Sequence, residues 1–305
     1  PFSIELTNVR GRIVRLGRAV DAALVQHDYP DAVAALLGEA LVLAVMLGSS
    51  LKFDGKLILQ MQGDGPVGLV VADYRTEGTL RGYAQINDEK WRNAFGPGRL
   101  GPGAARLPDL MGEGHLAITV DPRLERDRYQ GIVSLTGKSL SDCARYYFAQ
   151  SEQLPTEVQL AVAEVVVPGR PTTWRAGGLV IQALPEQSSA QANADALNSW
   201  ETATALFRTT EAHELIDPGL DPARLLYRLF HEMGVRVYDV QNVGFACSCD
   251  RANVLRLLAS FPDKDQDAML EEDGRVHVRC EFCGTRYRFA QEEIDREIER
   301  RTGTR

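Results

Sequence analysis

Four of the chain's five cysteines stand near its C-terminus in two closely spaced pairs. Cys247 and Cys249 form a CxC, and Cys280 and Cys283 form a CxxC thirty residues further on. Tetrahedral Zn²⁺ takes four thiolate ligands at about 2.3 Å, and two short pairs brought together across a loop supply them. The spacing therefore predicts one zinc ion per chain, held by these four cysteines.

The part of the chain that carries these cysteines is small. We predict a C-terminal module of residues 235–305, with a strand at 235–240, a helix at 251–261, a hairpin that turns at Gly284 and a solvent-exposed last helix at 291–301. A module of this size buries too little apolar surface to be stable without additional support. Structural zinc contributes about 10–16 kcal/mol in finger peptides. We therefore expect the module to unfold when the metal is removed.

Residues 1–185 have the pattern of a separate core domain. Apolar residues recur at helical spacing up to about residue 51, which predicts a buried helix. Runs rich in β-formers, separated by turns that contain Gly and Pro, predict antiparallel strands. The predicted strands are 56–62, 67–74, 79–86, 116–120, 131–137, 157–167 and 178–184, with a helix at 139–154. Helices and strands do not alternate strictly, so the predicted class is α+β with an antiparallel-rich sheet.

Residues 186–234 form a predicted helical linker between the core domain and the module. The stretch 186–200 is polar and rich in alanine, and helical patterns follow at 201–216 and 221–233. The last of these has an apolar stripe made of Leu225, Leu226, Leu229 and Phe230. The segment contains no sheet that could cover this stripe, so we expect the stripe to pack on another domain.

Composition limits the cellular setting and the partners. The longest apolar run, residues 40–47, is far shorter than the about twenty residues that a membrane span requires. The first residues lack the pattern of a signal peptide, so we expect a cytoplasmic protein with reduced thiols. The net charge of -8 argues against electrostatic attraction to nucleic acid or anionic lipid.

The cysteine cluster is also a candidate redox switch. Four thiolates on one Zn²⁺ leave a net charge of about −2. Arginines near the cysteines favour the deprotonated sulfur, which is the form that oxidants attack. These arginines are Arg251, Arg279, Arg286 and Arg288.

The cysteine pattern, followed by Y-x-F at 287–289, resembles the heat-shock protein 33 family of redox-regulated holdase chaperones. The resemblance extends to 57–73, 146–156, 177–185 and 249–258, and so covers nearly the whole chain. One departure is Asp250, which stands where a small polar residue is more usual after the CxC. It alters the local charge but not the ligand set.

The resemblance implies a specific cycle. The reduced, zinc-bound protein would be inactive. Oxidation would pair Cys247 with Cys249 and Cys280 with Cys283, release zinc, unfold the C-terminal domain and loosen the linker. The exposed surface would then bind unfolding client proteins without ATP, and the family dimerises on activation.

Two other functions compete with this interpretation. The first is a zinc-ribbon RNA-binding protein, because residues 275–305 contain eight arginines, although six acidic residues are interleaved with them. The second is a thiol-ligated zinc enzyme, which requires an open coordination position that four cysteines do not leave. We therefore predict a protein that is not an enzyme. His277 could be a spare ligand but is expected to face solvent, and Cys143 is expected to be a core residue.

Overall fold

The structure is a computed structural model that describes residues 1–302 except 6, 53, 97–99, 124–126, 167, 170, 185–189 and 263–267. The side chains of 190–197 and 302 are also not described. The chain divides into two compact units, Pro1–Phe245 and Ala246–Arg305. The predicted α+β class with antiparallel-rich sheets is confirmed.

The first unit contains two sheets. Sheet A has five antiparallel strands in the spatial order β10 (Val235–Val237), β1 (Phe2–Ile4), β2 (Val9–Leu16), β9 (Thr173–Ala183) and β8 (Thr156–Val165). Sheet B has the order β11 (Gly244–Phe245), β5 (Thr79–Ile86), β4 (Val67–Arg75), β3 (Gly55–Gly63), β6 (Gly114–Pro122) and β7 (Tyr129–Ser134). Only β11 and β5 pair in parallel within the described sheets. The predicted strands of residues 56–86 are confirmed as the meander β3, β4 and β5.

One long helix lies between the two sheets. Helix α2 (Asp31–Gly48) packs against strands of both, and fifteen of its eighteen residues are buried. It is long and apolar enough to cross a membrane by length and composition, but most of it is buried inside this unit. The predicted buried helix is therefore confirmed as the central core helix. Smaller helices surround it: α1 (Arg18–Leu24), α3 (Asp88–Phe95), α4 (Leu107–Met111) and α5 (Leu140–Tyr147), which continues as a π-helical turn at Phe148–Glu152.

The predicted linker segment forms a helical layer on the other face of sheet A. It consists of α6 (Ala190–Phe207), α7 (Ala212–Ile216) and α8 (Pro222–Phe230), followed by a 3₁₀ turn at His231–Met233. The apolar stripe of α8 is buried together with Phe2, Ile4, Leu179 and Ile181 of the sheet. The stripe was expected to pack on another domain, and it packs on sheet A, which lies in the same compact unit. We call α6, α7 and α8 the helical layer.

Two adjacent glycines let helices approach both faces of β9. A Cβ atom on Gly177 would lie 2.1 Å from the carbonyl oxygen of Leu215 in the helical layer. A Cβ atom on Gly178 would lie 2.6 Å from Val42 and 2.8 Å from the sulfur of Met46, both in α2. Successive strand residues point to opposite faces. The glycine pair therefore fixes the spacing of the core helix on one side and of the helical layer on the other.

Polar contacts also hold the helical layer to sheet A. Arg15 of β2 donates hydrogen bonds to the backbone carbonyls of Glu214 (2.6 Å), Asp217 (2.8 Å) and Leu220, three acceptors around the end of α7. These carbonyls follow a helix C-terminus, where backbone acceptors lack partners within the helix. Arg208 of the layer forms a 2.6 Å ion pair with the buried Glu157 of β8.

The strand expected to open the C-terminal module belongs to the first unit instead. Residues Val235–Val237 form β10, which pairs with β1 at the edge of sheet A. Pairing with a strand from the other end of the chain has no local sequence signal, which is why the pattern placed this strand in the wrong unit. The three-part division into 1–185, 186–234 and 235–305 stays a prediction.

The second unit contains α9 (Arg251–Leu258), the antiparallel hairpin β12 (Arg275–Arg279) and β13 (Arg286–Ala290), and α10 (Gln291–Thr302). Its fully buried apolar side chains, among the described residues, are Leu258, Val276, Phe289 and Ile294. The prediction that α10 is a solvent-exposed helix is wrong on one face. Ile294 is completely buried and Ile298 packs beside it, because these two residues are one helical turn apart.

Candidate metal centre

The four cysteines of the CxC and the CxxC converge in the second unit. Their sulfur atoms all lie within 4.8 Å of one another, and each side chain is partly buried. The sulfurs of Cys247 and Cys280 are 3.7 Å apart, and those of Cys249 and Cys283 are 3.2 Å apart. These two approaches run between the motifs, so the cluster joins the CxC segment to the hairpin.

This donor set fits a tetrahedral metal ion. Four sulfurs bound at about 2.3 Å to one ion would stand about 3.8 Å apart. The 3.7 Å separation of Cys247 and Cys280 agrees with this value, and the 3.2 Å separation of Cys249 and Cys283 is shorter. The cluster is the only group of three or more suitable side chains found among the described residues. Four close thiols can hold a metal ion, and four soft donors are typical of structural sites.

The CxxC lies in a tight turn that directs backbone amides at sulfur. Gly284 has a φ of 65°, its N–H donates to the carbonyl of Cys280, and the N–H of Cys280 donates to the carbonyl of Thr285. The backbone N–H groups of Phe282 and Cys283 donate to the sulfur of Cys280. The left-handed conformation favours glycine at residue 284. The predicted hairpin, with Gly284 at its turn, is confirmed.

The CxC runs directly into α9. Asp250 caps the helix, because its side chain accepts a 2.6 Å hydrogen bond from the N–H of Asn253. The residue that departs from the family pattern thus has a local role as an N-cap. The guanidinium of Arg251 binds Glu293 and the carbonyl of Arg288, and lies 4.3 Å from the ring centre of Phe289. Arg251 therefore joins α9 to the hairpin and α10.

Hydroxyl groups near the sulfurs were missed by the sequence analysis as functional groups. Thr285 Oγ1 lies 3.1 Å from the sulfur of Cys283, and the hydroxyl of Tyr287 donates to the sulfur of Cys249 over 3.3 Å. Tyr287 was noticed as part of the Y-x-F pattern and Thr285 was not. The signal that could have found both is their even spacing after Cys283, which places their side chains on one face of the strand.

The thiols differ in acidity when no metal is bound. Burial opposes ionisation of Cys283, but hydrogen bonds from the hydroxyl and N–H of Thr285 lower its pKa to about 7. Burial raises the pKa of Cys280, and burial with the neighbouring thiols raises the pKa of Cys249 to about 12. The hydrogen bond to Cys249 raises the pKa of Tyr287. Cys283 is therefore a more readily formed thiolate than Cys249 or Cys280.

The remaining sequence candidates lie apart from this cluster. His277 faces Asp273 at 2.9 Å and Glu271 at 3.3 Å, so both ring nitrogens are next to carboxylates and not sulfurs. Cys143 is completely buried in the core of the first unit, as expected.

The comparisons with known proteins agree with the resemblance seen in the sequence. The family model described as Hsp33 protein matches residues 1–290. A 33 kDa chaperonin of Caulobacter vibrioides is 46% identical over 288 residues, which cover 94% of this chain and 93% of that protein. A 33 kDa chaperonin of Azotobacter vinelandii is 41% identical over 294 residues, covering 96% and 91%.

A solved structure shares the fold. The crystal structure of a 33 kDa chaperonin (heat shock protein 33 homolog) from Thermotoga maritima matches with a TM-score of 0.75 at 23% identity, covering 97% of this chain and 95% of that one. Together with the family match over residues 1–290, the sequence identities show that the chain belongs to the Hsp33 family.

Proposed function

We propose that this protein is a redox-regulated, ATP-independent chaperone, kept inactive by a four-cysteine zinc site and activated by oxidation. Membership of the Hsp33 family and relatives named 33 kDa chaperonin support a chaperone. The observation that carries the regulation is the convergence of four thiols in a unit with a very small apolar core. In this unit the sulfur donors are a main structural support.

Zinc is the metal that best suits the site. Four cysteine ligands in a reducing compartment match structural zinc, and the convergence of the four sulfurs within 4.8 Å of one another suits a single ion. Cys247, Cys249, Cys280 and Cys283 would hold it. Bound zinc would cross-link the CxC segment to the hairpin, with no open position for catalysis. This geometry favours a structural switch over an enzyme.

Oxidation then acts on the thiols. Two thiols become one disulfide, and the two electrons and two protons reduce a peroxide such as H₂O₂ to two water molecules. The family resemblance pairs Cys247 with Cys249 and Cys280 with Cys283. In the reduced arrangement, short S–S distances join Cys247 to Cys280 and Cys249 to Cys283 across the motifs. Pairing within each motif would remove these links between the CxC segment and the hairpin. Pairing across the motifs would preserve them, so the proposed unfolding of the second unit requires pairing within each motif.

The consequence would reach the segment 186–234, which we propose as the functional linker. Its helical layer buries Leu225, Leu226, Leu229 and Phe230 on sheet A. Loosening of this layer would expose two apolar surfaces, one on the helices and one on the sheet, and such surfaces bind unfolded proteins. Dimer formation on activation and a cytoplasmic location are proposed from the family resemblance alone.

The RNA-binding alternative is weaker. Basic side chains of the second unit are used internally: Arg251 binds Glu293, and Arg300 binds Glu297. These contacts reduce the charge available for phosphates.

The proposal is tested by measuring zinc content and client aggregation on the same samples. Peroxide with mild heat is expected to release one zinc per chain and to make the protein suppress aggregation of a denaturing client, and dithiothreitol should reverse the thiol change. Cys143→Ala is the matched control, because it removes a thiol outside the cluster and should behave like wild type. Full oxidation with zinc retained and client aggregation unchanged would contradict the proposal.

A further inference from the structure

An edge of sheet A is covered by a short strand from the far end of the first unit. Strand β10 has three residues, paired with β1 as Phe2 with Val237, Ser3 with Arg236 and Ile4 with Val235. Arg236 and Val237 are exposed, and the side chain of Val235 is only partly buried. Few interactions therefore hold this strand.

The hydrogen bonds define which groups of β1 face β10. The N–H of Glu5 donates to the carbonyl of Gly234 at 2.8 Å, and the N–H of Tyr238 donates to the carbonyl of Pro1 at 3.0 Å. Hydrogen-bonded pairs alternate along antiparallel strands, so Ser3 and Arg236 form the pair between these two. The N–H and C=O of Ser3 thus point to β10, and those of Phe2 and Ile4 point to β2.

The side chains of β1 connect this edge to the apolar surface under the helical layer. Phe2 and Ile4 are both 1% exposed and belong to the cluster that buries the stripe of α8. The ring of Phe2 stacks on Phe230 with a centroid distance of 5.8 Å. Val235 of β10 packs against the same cluster. An occupant of this edge therefore makes backbone bonds to Ser3 and places alternate side chains next to Phe2 and Ile4.

The chain order links this edge to the helical layer. Strand β10 follows α8 after one 3₁₀ turn, with Gly234 at φ 73° between them. If α8 leaves sheet A, Phe2 loses its stacking partner and β10 loses the helix that precedes it. The N–H and C=O of Ser3 would then be free beside an exposed apolar face.

We propose that the outer edge of β1 is a strand-addition site for an extended segment of an unfolded polypeptide, and that β10 occupies this site until activation. The inference rests on the proposed chaperone function and adds to it the recognised feature of the client. That feature is an extended backbone with apolar side chains at alternate positions, as Val235 and Val237 have in β10. Backbone hydrogen bonds give affinity without requiring a sequence, and this suits binding to many clients.

Two proline variants distinguish the role of β1 in client binding from that of β10. Ser3→Pro and Arg236→Pro each remove one N–H of the same hydrogen-bonded pair. The N–H of Ser3 points to β10 and not to β2, so Ser3→Pro leaves the hydrogen bonds between β1 and β2 in place. Both variants weaken the pairing of β10 with β1. Only Ser3→Pro removes a hydrogen-bond donor of β1 that the client would use. After oxidation, Arg236→Pro should hold client at least as well as wild type. Ser3→Pro should bind client roughly three- to tenfold more weakly, since one hydrogen bond is lost.

Alanine variants control for the side chains. The hydroxyl of Ser3 lies 3.0 Å from that of Tyr238, and the guanidinium of Arg236 lies over the ring of Tyr238. Ser3→Ala and Arg236→Ala remove these contacts and keep both N–H groups, so they should bind client like wild type. Equal client binding by Ser3→Pro and Arg236→Pro would overturn the proposal.

Hydrogen exchange of the unmodified protein tests the same site without a variant. Peptides that cover residues 2–13 should exchange slowly in the reduced protein, faster after oxidation, and slowly again when a destabilised client is added. Fast exchange that persists with client bound would overturn the strand-addition site while leaving the chaperone function intact. If the oxidised wild type does not suppress aggregation at all, the proposed function itself fails.

Discussion

The two units differ most in what their cores are made of. In the first unit, 43 of the buried residues that the structure describes form one cluster around α2 and both sheets. In the second, the buried apolar cluster has four residues, with the cysteines beside it. Burial of apolar surface grows with the size of a core and supplies most folding free energy. The first unit can therefore depend on packing, whereas we propose that the second depends on its sulfur donors.

This difference makes the second unit suitable for a chemical switch. Oxidation of thiols hardly affects a core built from apolar contacts. In the second unit it would remove the proposed metal cross-link, and the apolar core there is small. The helical layer is an intermediate case, because its apolar stripe and Arg15 attach it to sheet A from one side. The molecule thus combines a stable core with two parts of lower stability.

The largest expected effect comes from removing one sulfur ligand. Cys280→Ser should abolish tight zinc binding and unfold the second unit, because structural zinc contributes about 10–16 kcal/mol in small peptides. Hydrogen exchange should show loss of protection across 246–302. The peptides of α2 and of β3 to β5 in the first unit should stay protected, while the helical layer, which includes Trp200, should loosen. Cys143→Ala serves as the control and should retain full zinc content. A protected hairpin in Cys280→Ser would show that the unit does not need the site.

The converse prediction concerns a substitution that should destabilise the first unit alone. Leu41 of α2 is completely buried, so Leu41→Ala should lower the free energy of unfolding of the first unit by about 2–5 kcal/mol. Urea unfolding followed by tryptophan fluorescence measures this loss. Zinc content should remain one per chain, and a parallel loss of zinc would contradict the independence of the two cores.

A smaller effect is expected where the helical layer meets sheet A. Gly177→Ala places a methyl group against the carbonyl of Leu215 and should weaken the docking of the layer by about 1–3 kcal/mol. The matched control is Gly178→Ala, whose methyl group meets α2 on the other face. Limited proteolysis under reducing conditions should cut within 198–230 faster in Gly177→Ala than in Gly178→Ala. Equal rates of cutting in the two variants would contradict the claim that Gly177 specifically fixes the docking of the helical layer.

The smallest expected effect is a pH dependence of the first unit. Burial raises the pKa of Glu39 in α2 to about 7, above its ordinary value of 4.5. Between these values the folded state binds more protons than the unfolded state, so stability falls as pH rises. The slope should stay below about 1.4 kcal/mol per pH unit, because a single carboxyl group releases at most one proton. Urea unfolding at pH 5 and pH 7 should show a loss of unfolding free energy with rising pH in wild type and not in Glu39→Gln. The same pH dependence in both proteins would contradict the prediction.

Local patterns were sufficient for the cysteine cluster and for much of the fold. The CxC and CxxC spacing identified all four converging thiols, because short ligand spacing is itself the signal of a metal site. Continuous apolar periodicity identified α2, and alternating β-rich runs identified β3, β4 and β5. These elements are encoded by residues close together in the chain.

Features that depend on distant partners were not predictable. Strand β2 was missed because Arg10, Arg12 and Arg15 interrupt its apolar pattern. The hydrogen bonds of Arg15 go to the helical layer, which is distant in the sequence, so no local pattern predicts them. Strand β10 was placed in the wrong module because its partner lies more than 200 residues away. The buried face of α10 was missed because two isoleucines are a weak stripe among many charges.

The most direct test of the central claim is hydrogen exchange of both units in one sample, before and after zinc is removed by peroxide oxidation. The account predicts that protection is lost across 246–302 while the peptides of α2 and of β3 to β5 remain fully protected. Retained protection across 246–302 in oxidised protein shown to be free of zinc would contradict the claim that the sulfur donors hold the second unit together.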